Sequence, residues 1–172
     1  MRFGLETVGD TSQPLEDSIY GSLYATGSDG GVPDTITVCL RVDSGEVTGN
    51  VKCAIYELDP ENGAKALVAW TEERELTVNT NPVWYEFAIA GYNEKLAAST
   101  SYWLVAWSDS AIKMWTASTG TRLLKDLTYD DWPDPMTGEG VGTYKGSIYC
   151  DYSKVVMAGG MQVPAVIALD LI

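Results

Sequence analysis

The chain has 172 residues, enough for one domain with a sizeable core. Its 24 acidic and 11 basic side chains give a formal charge of −13. That is the reverse of a nucleic-acid-binding footprint, so no nucleic acid is expected as a partner. Histidine is absent, which excludes a Ser–His–Asp triad, a Cys–His dyad and a His-ligated zinc site within the chain.

Residues 1–9 read as a first strand ending at Gly9-Asp10. The opening MRFGLETVGD lacks the apolar core of a secretory signal, and no run approaches the ~18 apolar residues that span a bilayer. The expectation is therefore no membrane span, assembly in the cytoplasm, and a final location in a virion or outside the cell. Residues 17–25 alternate, with Ile19, Gly21 and Leu23 on one side and Tyr20, Ser22 and Tyr24 on the other. The Gly-rich TGSDGGVP that follows lacks the Lys-Ser/Thr ending of a phosphate loop and reads as a plain connection.

Residues 35–43 place Ile36, Val38, Leu40 and Val42 inward, which leaves Cys39 outward. Residues 44–50 read as a turn, and residues 51–58 place Val51, Cys53 and Ile55 inward. Cys39 and Cys53 thus differ in phase, so no 39–53 disulfide is expected across a regular hairpin. Cys53 and Cys150 share the inward phase and are expected as free thiols. A turn at Asp59-Pro60-Glu61-Asn62-Gly63 leads into strands at 66–70 and 76–78, with the charged EERE between them on an exposed strand. Residues 83–89 alternate Trp84, Glu86 and Ala88 against Val83, Tyr85, Phe87 and Ile89.

The strongest strand signal is SYWLVAWSDSAIKMWTAS, residues 101–118, in which two apolar runs flank the turn-prone Ser108-Asp109-Ser110. In the first run Tyr102, Leu104 and Ala106 oppose Trp103, Val105 and Trp107, so both faces are apolar. Such a strand belongs at the centre of a packed sheet. Strands at 122–128 and 144–152 bracket the acidic loop DDWPDPMTGEG. About ten strands without a convincing helix predict an all-β, antiparallel two-sheet sandwich of jelly-roll type over residues 1–152. Residues 153–172 form an apolar arm or edge strand beyond it.

Several short motifs occur together: Glu6-Thr7, DSIYGS at 17–22, VKCAIY at 51–56, WYEF at 84–87, YWLVAWS at 102–108, WPDP at 132–135 and SIYC at 147–150. Together they resemble a loosely defined family of β-sandwich modules in environmental and thermophile sequences. Those modules occur in virion and tail-associated proteins and in secreted carbohydrate-associated ones. The resemblance spans about residues 3–152 and implies the fold; it transfers no functional residue.

Two chemistries stand against a plain structural role. Calcium takes about six to eight oxygens, and Asp130, Asp131, Asp134 and Glu139 offer carboxylates in one loop, against a solvated acidic loop. Calcium is the one cofactor this suggests. Trp84, Trp115 and Trp132 are candidates to stack on sugar rings, whereas Trp103 and Trp107 read as core. The tail presents Val163, Val166, Ile167, Leu169, Leu171 and Ile172 with one charge, Asp170, behind a Gly159-Gly160 hinge. An apolar strand of this kind pairs either with its own sheet or with a neighbouring subunit. The leading expectation is a non-enzymatic structural subunit of a virion or similar assembly: a capsid, a capsid decoration or a tail-associated protein. Its partners would be itself or other subunits. The alternative is a carbohydrate-binding module that recognises a surface glycan.

Overall fold

A computed structural model describes residues 1–58, 66–136 and 140–155. The chain is all-β, and among the described residues there is no helix, hence none long and apolar enough to cross a membrane. The first strands are β1 (Arg2–Gly4), β2 (Thr11–Pro14), β3 (Ser18–Ala25), β4 (Gly31–Arg41) and β5 (Glu46–Glu57). Then come β6 (Leu67–Thr71), β7 (Arg74–Asn79), β8 (Val83–Tyr92), β9 (Ser101–Ser108) and β10 (Lys113–Ala117). The last are β11 (Arg122–Asp126), β12 (Gly140–Gly142), β13 (Lys145–Gly146) and β14 (Ile148–Lys154).

These strands form one large antiparallel sheet in the order β1-β14-β4-β8-β6-β5-β9-β3-β11-β12. Strand β8 joins its two arms. Residues 83–88 pair with β4 in the first arm, and residues 89–92 pair with β6 in the second. The main hydrophobic cluster draws Ile36, Val38 and Leu40 from the first arm and Val51, Ile55 and Leu104 from the second, so the arms enclose it together. Burial of these branched side chains is the dominant favourable contribution to the fold.

Strand β9 is the central strand its sequence predicts. It pairs with β5 along one edge and β3 along the other. Tyr102, Leu104 and Ala106 enter the main cluster, while Trp103, Val105 and Trp107 enter a second cluster on the opposite face. That second cluster also contains Ile19, Ala54, Tyr56, Leu123 and Met136. The run after the Ser108–Ser110 turn behaves differently. As β10 it leaves the arm of β9 and pairs with β2, β4 and β13 in the first arm.

The expected strand boundaries need several corrections. The first strand covers only 2–4, and β2 follows as a separate strand. The segment 44–50 is mostly strand, because β5 begins at Glu46 and pairs with β7 from there. In the EERE run, Glu72 and Glu73 lie in the connection between β6 and β7, and only Arg74 and Glu75 are on a strand.

Cys39 also differs from its expected outward position. It does point away from the main cluster, yet it is fully buried. It lies between Trp84, its partner on β8, and Ser147, whose carbonyl accepts the Cys39 N–H at 2.9 Å. Facing outward on a strand is not the same as facing water when the neighbours are an indole and another chain segment. All three cysteines are free and buried, and burial pushes the Cys39 thiol up to about 12. The turn expected at 59–63 and the arm at 156–172 lie outside the described residues.

Candidate functional site: a cleft beside a caged lysine

On β5, Val51, Cys53 and Ile55 fill the main cluster, so the intervening Lys52, Ala54 and Tyr56 face the other way. A lysine in that row would ordinarily reach water. Here residues 127–136 cross over the row and seal it, packing Leu127, Tyr129, Trp132 and Met136 onto the second cluster. Lys52 retains only 7% of its exposure. Its ammonium lies 4.6 Å from the ring centre of Trp107, 4.4 Å from Tyr129 and 5.0 Å from Trp132. It also donates a hydrogen bond to the Asp130 carbonyl. Loss of hydration lowers its pKa, and the carboxylates of Glu73, Asp131 and Asp130 partly oppose that shift. Three ring faces and one carbonyl thus take the place of water around the cation.

The covering segment is tied down by individual polar contacts rather than by a strand ladder. Asp17 accepts the Leu127 N–H on its backbone carbonyl at 2.9 Å and the Tyr129 N–H on Oδ1 at 3.0 Å. Tyr56 donates its hydroxyl to the Pro133 carbonyl at 2.9 Å, and Asp134 Oδ1 accepts the Leu67 N–H at 3.0 Å. Burial, followed by the neighbouring Glu73 carboxylate, pushes the Tyr129 phenol well above its ordinary value.

Beside this cover lies a cleft of about 370 Å³ whose lining includes Lys52, Trp70, Glu72, Glu73, Asp131 and Trp132. Each wall has a structural cause. Trp70 comes from β6 opposite Gly91 of β8; a Cβ on Gly91 would stand 2.5 Å from the Trp70 ring, so the glycine makes room for the indole. Glu72 and Glu73 are exposed because the chain turns there between β6 and β7. Asp131 and Trp132 arrive with the cover. The cleft therefore combines two indoles, three carboxylates and a largely shielded ammonium on a sheet-supported surface. Such a surface can stack on a flat apolar ring face and accept hydrogen bonds from hydroxyl or amine groups.

The residues singled out by the sequence divide between the two arms. Trp132 and Asp131 line the cleft, and Asp130 holds Lys52 through its carbonyl. Trp84 and Trp115 lie elsewhere, half-buried in the first arm. Trp84 stacks obliquely on Tyr149 at 5.4 Å, and Trp115 lies under the Arg41 guanidinium at 5.1 Å. For the calcium reading, Asp130, Asp131 and Asp134 are exposed and Asp134 is engaged with Leu67, while Glu139 lies outside the described residues. No group of three or more Asp, Glu, Cys or His close enough to hold a metal occurs among the described residues. The tail residues Val163, Val166, Ile167, Leu169, Leu171 and Ile172 also lie outside them.

Lys52, Trp70, Glu72 and Glu73 escaped the sequence reading. A signal for Lys52 was present: in VKCAIY it is the one charge in a strand otherwise apolar on both faces. Nothing local marks Glu72 and Glu73, because Lys52 is about 20 positions away in the chain and Asp131 and Trp132 about 60. No family model matches the chain, and no curated protein is similar to it in sequence.

Proposed function

We propose that this protein is a non-enzymatic carbohydrate-recognition module, built as a two-sheet sandwich of jelly-roll type, and that its ligand site is the Trp70–Trp132 cleft. The observation that carries this reading is the meeting of two indoles and three carboxylates in one cleft, with Trp70 on β6 and the others on the connections around it. Indole faces pack against the C–H face of a pyranose, and carboxylates accept its hydroxyls; this pairing gives orientation as well as affinity. The test is titration with a panel of neutral and amine-bearing oligosaccharides, followed by tryptophan fluorescence and calorimetry. Binding should weaken at least about tenfold in Trp132→Ala and in Gly91→Ala, which moves the Trp70 indole without removing it. Absence of binding across the panel, or binding indifferent to both variants, refutes the reading.

A second reading, a structural subunit of a virion or similar assembly, is favoured by one observation. Among the described residues, strand β1 pairs with β14 alone and stands at the edge of the sheet. The exposed apolar residues Met1 and Val155 flank the strands at that edge. Beyond Val155 the sequence supplies the apolar residues 163–172, suited to add a strand to a neighbouring subunit. Truncation after Val155 followed by mass measurement in solution decides it. A full-length oligomer that becomes a folded monomer supports exchange, and an unchanged mass refutes it.

A further inference from the structure

We infer that the cleft selects glycans that carry free amino groups, such as oligomers of glucosamine, over neutral or acidic ones. This rests on the carbohydrate reading above and names its ligand class. Among the described residues, the cleft sets the carboxylates of Glu72, Glu73 and Asp131 against one ammonium, Lys52. That ammonium is already occupied by three ring faces and the Asp130 carbonyl, and Lys52 as a residue is buried. A ligand in the cleft therefore meets the carboxylates, which are exposed, more directly than it meets the lysine.

The acidic character continues past the cleft. A second cavity of about 480 Å³ shares Glu72 and Glu73 with it and extends along β8, where Glu86 joins the lining. Arg74 is the one cation in its described lining, and its Nη1 donates to the Glu86 carbonyl at 3.1 Å. Two adjoining cavities joined by a pair of carboxylates suit successive units of a linear chain better than a single sugar. A protonated amine on those units gains attraction to the carboxylates and to the indole faces, whereas a uronic acid is repelled.

The experiment uses the full chain in mildly acidic buffer that keeps a sugar amine protonated. Calorimetry compares oligoglucosamine, its N-acetylated counterpart, a cello-oligosaccharide and an oligogalacturonate of equal length. The amine oligomer should bind about five- to tenfold more tightly than the N-acetylated one, with that preference shrinking as salt rises. Glu73→Gln and Asp131→Asn, both at exposed positions, should each remove much of the preference. Glu46→Gln, exposed at the far end of β5, should leave it intact. Equal affinity for amine and neutral oligomers, lost together in Trp132→Ala, overturns the amine preference and leaves the carbohydrate reading standing. Equal weakening by Glu46→Gln means diffuse attraction to an acidic protein and also overturns the preference. If no oligomer binds, both fail.

Discussion

The two hydrophobic clusters lie on opposite faces of β9 and are closed by different means. The main one is enclosed between the arms of the sheet, so every strand that covers it is locked by a ladder of backbone hydrogen bonds. The second is closed by residues 127–136, which belong to no named strand and are held to the described residues by contacts to Asp17, Lys52, Tyr56 and Leu67. Local opening is governed by how many such contacts must break together, and an irregular cover breaks few. The candidate site sits at the margin of the weaker closure. A site that admits a ligand belongs there rather than between the arms.

Truncating a side chain between the arms should have the largest effect and should spread through the whole protein. Leu104 is fully buried in the main cluster, and Leu104→Ala should cost about 2–5 kcal/mol by loss of burial and creation of a cavity. Urea denaturation should show a lower midpoint with an unchanged slope. Amides of both arms should lose protection together in hydrogen exchange. If only one arm loses it, the arms are independent units and the main cluster does not unite them.

Alkali tests the same contrast through titration. Cys53 and Cys150 lie in the main cluster and Cys39 is buried on the first arm; burial raises all three thiols above their ordinary 9.0. Above that pH the unfolded chain releases protons that the folded chain retains. Stability therefore falls as pH rises, by up to about 1.4 kcal/mol per thiol per pH unit. Lys52 has the opposite sign. Its folded pKa is below the ordinary 10.5, so its contribution improves as pH climbs toward that value. Cys53→Ala should flatten the alkaline decline measured by denaturant titration, and Lys52→Met should steepen it. A decline unchanged in Cys53→Ala removes the thiol from the account.

How much of this was legible follows from the range of the interactions. The place of β9 could be read because Tyr102–Ala106 and Trp103–Trp107 are apolar on alternate sides within seven residues. The phases of β4 and β5 were readable for the same reason. The cover was not. Leu127, Tyr129, Trp132 and Met136 follow neither a helical nor a strand period, and the carboxylates between them dominate the local composition. Lys52 could not be placed in a cage from its own strand, since two of the three rings come from residues 129 and 132. Likewise the move of β10 to the first arm depends on pairing with β2 and β4, about 70 to 100 positions away in the chain.

Removing the lysine should act more locally than either perturbation above. Lys52→Ala loses three ring contacts and the hydrogen bond to Asp130, about 1–3 kcal/mol in all. Hydrogen exchange should rise first at the Leu127 and Tyr129 amides, which bond to Asp17, while β9 stays protected. Equal loss at β9 would mean that the cage supports the whole sheet rather than its cover.

The smallest change, Tyr56→Phe, removes a single oxygen and is the most selective probe of the difference between the closures. The ring stays packed in the second cluster, so apolar burial is kept; only the bond to the Pro133 carbonyl is lost. That carbonyl lies near the surface of the cover, where water can replace the phenol, so the cost should be about 0.5–1.5 kcal/mol. Because the bond joins the cover to β5 and to nothing between the arms, that cost should appear as faster opening of residues 127–136. The Leu127 and Tyr129 amides should exchange several-fold faster, with the denaturation midpoint nearly unchanged. Affinity for an oligosaccharide should fall modestly as Trp132 spends more time away from Trp70. If instead the midpoint drops by the full amount and exchange rises uniformly, the cover opens only when the sheet does. The two clusters would then form one cooperative unit, and the cleft would be as fixed as the core.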